Sequence, residues 1–102
     1  MMFTMCIDLL GSPEQKEMWF QPSRNLNMIG AYAQTELGHG SAVQELETTA
    51  TLDMKTDEWV IHTPHVKATK FWPGNIAFGT HAVVFARLIV EENDFGVWPL
   101  MV

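Results

Sequence analysis

The sequence predicts an α+β chain: two short N-terminal helices followed by an antiparallel β domain. Three observations carry this reading. Apolar residues recur at three- and four-residue steps near the N-terminus. Beyond Arg24 the apolar stretches shorten and become β-compatible. Glycine, proline and acidic residues then punctuate the remainder as turns.

Met2, Phe3, Cys6, Leu9 and Leu10 share one helical face. Gly11 suits a C-cap, where a left-handed residue without a Cβ ends the helix. Ser12-Pro13-Glu14-Gln15 opens a second helix: Ser12 caps, Pro13 takes the first turn, and Gln15 returns a capping-box bond. That helix runs through Lys16 to Phe20 and is expected to stop at Pro22. Met28–Gln34 reads as a short strand, and Gly38-His39-Gly40-Ser41 as a turn. Leu46 to Leu52 is a strand with Leu46, Thr48, Ala50 and Leu52 on one face; Asp53–Asp57 turns it into Glu58–Thr63. Val66 to Phe71 reads as a further short strand and Trp72-Pro73-Gly74-Asn75 as a turn. His81–Val90 is apolar except for Arg87, which predicts cover on both faces. Glu91–Asp94 is read as a charged hairpin loop before a last strand.

Length and composition narrow the function classes. At 102 residues the chain is one small domain or a piece of a larger protein. Twelve acidic residues against six basic ones give a net charge of −6, spread along both halves. No basic patch exists to neutralise phosphates, which argues against a nucleic-acid partner. With 47% hydrophobic and 18% charged residues this is no disordered tail. The longest apolar run, Ala82 to Ala86, is far below the ~20 residues of a membrane span. One cysteine permits no internal disulfide, so a reduced compartment is expected. Four Trp, six Phe and seven Met are a heavy apolar load for this length. Together with the final apolar run Phe95–Val102, that load predicts a segment of something larger.

Isolated residue types offer little chemistry. His62 and His65 form the closest histidine pair, and His39 and His81 stand alone, so no metal is expected. No Gly-x-Ser-x-Gly elbow supports a hydrolase triad. Gly38-His39-Gly40 lacks the third glycine of a dinucleotide fingerprint, since Val43 holds its place. Cys6 reads as a buried structural thiol. Glu36, Glu45, Glu47 and Glu58 read as solvated strand or turn carboxylates.

Two segments are more distinctive. Tyr32-Ala33-Gln34-Thr35-Glu36-Leu37-Gly38-His39-Gly40 ends a strand in hydrogen-bonding side chains and glycines, and Lys70-Phe71-Trp72-Pro73-Gly74 sets an aromatic pair before a turn. Together with Leu46–Thr51 and Thr80–Ile89, in that order and spacing, they resemble the acyl-CoA oxidases, flavoenzymes related to the acyl-CoA dehydrogenases. The resemblance covers residues 13–102.

That resemblance implies an organisation and an activity. Residues 1–25 would be the last helices of the N-terminal helical domain, and 26–102 most of the β-barrel-like middle domain, incomplete here. It implies FAD as cofactor, with Thr35 and Gly74 as flavin contacts, supported by Gln34 and the flat wall of Trp72. The implied reaction is α,β-dehydrogenation of a fatty acyl-CoA to the trans-2-enoyl-CoA, with O2 reduced to hydrogen peroxide. Peroxisomal location and a homodimeric complete enzyme follow from the family. The family's catalytic glutamate belongs to a C-terminal domain, so no residue here is assigned as catalytic. The sequence departs from the family pattern where Phe71 replaces the first of two tryptophans, where Asn75–Gly79 forms a shorter loop without its lysine, and where Glu45 replaces a common glycine. Two other readings stand beside the oxidase. One is a non-catalytic middle-domain remnant acting as a binding module. The other is a dehydrogenase that passes electrons to a protein carrier, against which the Gly-His-Gly turn and Trp-Pro-Gly weigh.

Overall fold

Helix α1 (Met2–Leu10) opens the computed structural model, which describes residues 2–102. Residue 1, the start of the expected 1–25 helical unit, lies outside the described residues. The buried face of α1 is Phe3, Cys6 and Ile7, while Met2, Leu9 and Leu10 face outward. The stripe is therefore narrower than the apolar spacing suggested and includes Ile7. Gly11 does cap α1, its N–H donating to the Ile7 carbonyl at 2.9 Å, but not through a left-handed backbone. Its need for glycine is closeness, since a Cβ there would lie 2.5 Å from the Ile7 oxygen.

Helix α2 (Pro13–Arg24) begins with the expected capping box at Ser12 and Gln15. It continues through Pro22 for two further residues instead of stopping there. A proline in the last turn removes one N–H, and the carbonyls of Gln21 and Pro22 still accept bonds from Asn25 and Asn27.

Five strands follow: β1 (Gly30–Ala33), β2 (Thr49–Asp53), β3 (Glu58–His62), β4 (His81–Val90) and β5 (Asn93–Met101). Order and class match the sequence reading, but the sheet is mixed. β2–β3 and β4–β5 are antiparallel hairpins, whereas β1 and β2 both run parallel to β4. β1 takes the first half of β4 and β2 the second half of the same strand, from His81 to Val84 and from Arg87 to Ile89. Local patterning fixes hairpins; which long-range edges meet is settled only by packing. The sheet does not close on itself.

Three local expectations change. Val66–Ala68 is a 3-10 turn, and only Lys70 of that stretch bridges to another segment, at Glu36. The β4–β5 turn is the two residues Glu91 and Glu92, both left-handed, with Asn93 and Asp94 already in the strand. β4 is only partly covered: Val83 and Ala86 are buried and the rest half-buried. Gly96, at φ +82°, sits where a bulge shifts the β4–β5 register between Arg87 and Ile89. Pro99 costs no ladder bond that matters, because β5 pairs on one side only. Of the expected face, Leu46, Thr48 and Ala50 are buried and Leu52 is half-buried. The core joins Phe3, Cys6 and Ile7 of α1 to Val83 of β4, walled by Trp19, Phe20, Tyr32 and Phe85.

Candidate functional site

The end of β1 and the aromatic turn, far apart in sequence, lie side by side. Tyr32 bridges Gly74 and Glu36 bridges Lys70 in one antiparallel register, and the Phe71 N–H donates to the Thr35 carbonyl at 2.8 Å. This short ladder brings Gln34, Thr35, Trp72 and Gly74 to the rim of one groove of about 270 Å³, closed on the α1 side by Phe3. All four residues that the sequence singled out share it.

Their side chains differ in freedom. The Tyr32 hydroxyl donates to Gln34 Oε1 at 2.6 Å, and burial pushes the Tyr32 pKa up, so it stays a donor. The Gln34 amide nitrogen and the Thr35 hydroxyl make no side-chain hydrogen bond among the described residues. Trp72 is 83% exposed, stands edge-on to Phe71 at 6.2 Å between centroids, and holds φ at 63°. A bulky residue in the left-handed region is strained, and such strain clusters at ligand sites. Space around Gly74 is open: a Cβ there would meet nothing within 4 Å. Nothing inside this chain therefore requires glycine at position 74 for space.

An ion pair holds the ladder from within, and sequence reasoning missed it. Glu36 is buried, which corrects its reading as a solvated carboxylate. Its carboxylate accepts the backbone N–H groups of Glu47 and Thr48 at 2.8 Å each and pairs with Lys70 Nζ at 3.1 Å. Lys70 also donates to the carbonyls of Gln34, at 2.9 Å, and Phe85, at 2.6 Å. Burial alone would raise the Glu36 pKa, but bonds from Thr48, Glu47 and Lys70 outweigh it and hold the carboxyl below its usual value. Burial pushes Lys70 down, with Glu36 restoring part of the shift. The offset of one from Thr35 could have flagged Glu36, because adjacent residues of an extended segment point to opposite faces.

Glu45 and Glu58 are exposed, as read from the sequence, while Glu47 is half-buried. Cys6 is buried and its thiol is pushed up by burial, the state of an inert core thiol. Among the described residues no group of three or more His, Cys, Asp or Glu could hold a metal ion. No carboxylate of the described residues lines the groove. No helix among them is long and apolar enough to cross a membrane.

No family model matches the chain. Individual proteins do. Peroxisomal acyl-coenzyme A oxidase 1 of Arabidopsis thaliana is 53% identical over 102 residues, covering 99% of this chain and 15% of the relative. The enzyme of that name from Rattus norvegicus is 44% identical over 93 residues, covering 90% and 14%. Among solved structures, Arabidopsis thaliana acyl-CoA oxidase 1 superposes with a TM-score of 0.95 at 54% identity over 99% of this chain and 16% of that one. Acyl-CoA oxidase-1 of Caenorhabditis elegans, solved with FAD and ATP, gives 0.94 at 43% identity over 99% and 16%. The chain spans about 15% of the length of the relatives it matches. In sequence and in fold alike, it is a segment of the acyl-CoA oxidase family.

Proposed function

We propose that the groove between β1 and the Phe71–Asn75 turn holds part of an FAD, in an oxidase that converts a fatty acyl-CoA to its trans-2-enoyl-CoA and reduces O2 to hydrogen peroxide in the peroxisome. On this reading residues 1–25 end the N-terminal helical domain and 26–102 form most of the middle domain of a homodimeric enzyme. The observation that carries it is the convergence of Gln34, Thr35, Trp72 and Gly74 on one groove in a chain with this similarity.

The residues present suit a flavin. About 270 Å³ falls just short of the ~300–1,000 Å³ of ligand pockets, which suits one portion of a dinucleotide. When bound, FAD supplies a hydride acceptor for the acyl β-carbon and is reoxidised by O2. The Thr35 hydroxyl and Gln34 amide nitrogen are uncommitted donors for a ring edge that gains negative charge. Trp72 offers an apolar plane that excludes water, and the open space over Gly74 lets backbone approach a planar ring. Other parts of the enzyme supply the base. The exposed apolar side chains Phe71, Trp72, Ile76 and Phe78 around the groove are the surface on which they close.

Thr35→Val and Gly74→Val in a full-length oxidase carrying this segment test the reading. Thr35→Val keeps the shape and removes one hydrogen bond to a charged group, worth ~1.5–3 kcal/mol, so FAD retention or reduction should fall roughly ten- to a hundredfold. Gly74→Val adds a branched Cβ where this chain has open space, so folding should survive while flavin content falls further. Normal bound-flavin absorbance and reduction rate in both variants would remove the assignment.

A further inference from the structure

Two histidines and two glutamates, scattered in sequence, meet one turn beyond Thr35. The two ring nitrogens of His39 face different carboxylates: Nδ1 lies 3.5 Å from Glu45 Oε2 and Nε2 lies 3.3 Å from Glu47 Oε2. His65 Nε2 takes the other oxygen of Glu47 at 3.2 Å. The His39 side chain is 26% exposed, while those of Glu45 and Glu47 are 69% and 39% exposed, so a half-buried ring meets partners at the surface.

An ionised carboxylate only accepts hydrogen bonds, and a neutral imidazole has one N–H to give. A neutral His39 can therefore satisfy Glu45 or Glu47, leaving a lone pair against the other. Only the imidazolium satisfies both. An imidazole gains that second proton between about pH 5 and 8. We propose that His39 is a proton-operated brace, which ties the Glu36–His39 turn to Glu45 and Glu47 together when doubly protonated and to one of them when neutral.

The turn it braces is the continuation of the groove wall. Glu36 N–H donates to the His39 carbonyl at 3.1 Å, and His39 N–H returns to the Glu36 carbonyl at 3.2 Å. Gly38 N–H donates to the Lys67 carbonyl at 2.9 Å. Glu47 is tied to the same turn twice, since its own N–H binds the Glu36 carboxylate. The charges facing His39 are Glu45 from the Val43–Glu45 turn and Glu47 from the segment before β2. From the Val66–Ala68 side come His65, which keeps its one bond to Glu47 in either state, and Lys67, packed against Gly38. Glu36 turns its carboxylate inward to Lys70. Mild acid thus stiffens the strand end that carries Gln34 and Thr35. Any effect of this on flavin retention rests on the reading of the groove given above; the brace itself does not.

Amide hydrogen exchange of the chain, corrected for intrinsic rates, tests it without flavin at pH 5.5 and 7.5. Protection of the Glu36, Gly38 and His39 amides should be roughly two- to fivefold greater at pH 5.5, the scale of one exposed ion pair. Amides of the β2–β3 ladder should not respond. His39→Gln should abolish the difference, Glu45→Gln should reduce it, and His65→Gln should leave most of it. Equal protection at the two pH values, or a response that persists in His39→Gln, would overturn the proposal.

Discussion

At Gly30 a Cβ would lie 2.2 Å from the ring of Phe3, which is itself 3% exposed. That ring cannot move outward without opening the core beneath α1. Gly30→Ala should therefore lower stability by ~1–3 kcal/mol, the range for overpacking, and a shifted urea midpoint would show it. An unchanged midpoint would mean that Phe3 repacks freely. Glu36 is the second residue whose environment decides its role. Removing one partner of a buried pair leaves the other charge stranded, so Glu36→Ala should cost ~3–5 kcal/mol, a large share of a small domain's stability. The pH dependence follows from the lowered Glu36 pKa. The unfolded chain binds the proton more tightly, so the contribution is fully present above the unfolded value of about 4.3. It is lost as pH falls through the folded value. Wild type should lose stability over that acid range, and Glu36→Ala should show a flatter profile in thermal melts.

Among the elements, α2 shows how far local chemistry reaches. Ser12 N–H binds Gln15 Oε1 at 2.9 Å and Gln15 N–H binds Ser12 Oγ at 3.3 Å, so both halves of the box are made. Ser12→Ala should cost ~0.5–2 kcal/mol, measured by denaturation, with Ser12→Gly closer to wild type. This start was readable because all of its partners lie within four residues. The expected strand at Val66–Phe71 was not readable in the same way. There the Thr48 hydroxyl donates to the Ala68 carbonyl at 3.1 Å, and the Gly38 and Leu37 N–H groups reach the carbonyls of Lys67 and Thr69. Bonds from distant segments, absent from any local pattern, hold those residues in a turn. The groove's strained Trp72 has the same origin, since the ladder to β1 fixes the backbone on either side of it.

For the whole molecule, the distribution of apolar surface matters most. Among the described residues, half of the ten buried apolar ones are alanines, while Trp59, Phe71, Trp72, Phe78, Phe95 and Trp98 are exposed. Such surface marks contact faces, consistent with a segment that works inside a larger enzyme. The 102-residue chain alone should accordingly form no hydrogen peroxide from an acyl-CoA and added FAD above a protein-free blank. Loss of a general base alone removes ~10²–10⁴ in rate, before positioning is counted. A measurable peroxide signal would contradict this.

The sequence by itself determined the helix pair, the capping box of α2 and the hairpins, and it nominated the four residues of the candidate site, because each rests on neighbours in the chain or on blocks matching a family in order and spacing. Only the tertiary structure decided that β1 and β2 share parallel edges of β4, that Glu36 is buried against Lys70, and that His39, Glu45, Glu47 and His65 meet. Those pairings join residues up to dozens of positions apart. Local propensity carries no information about them; their geometry is set when distant segments bury shared surface and must satisfy each other's polar groups.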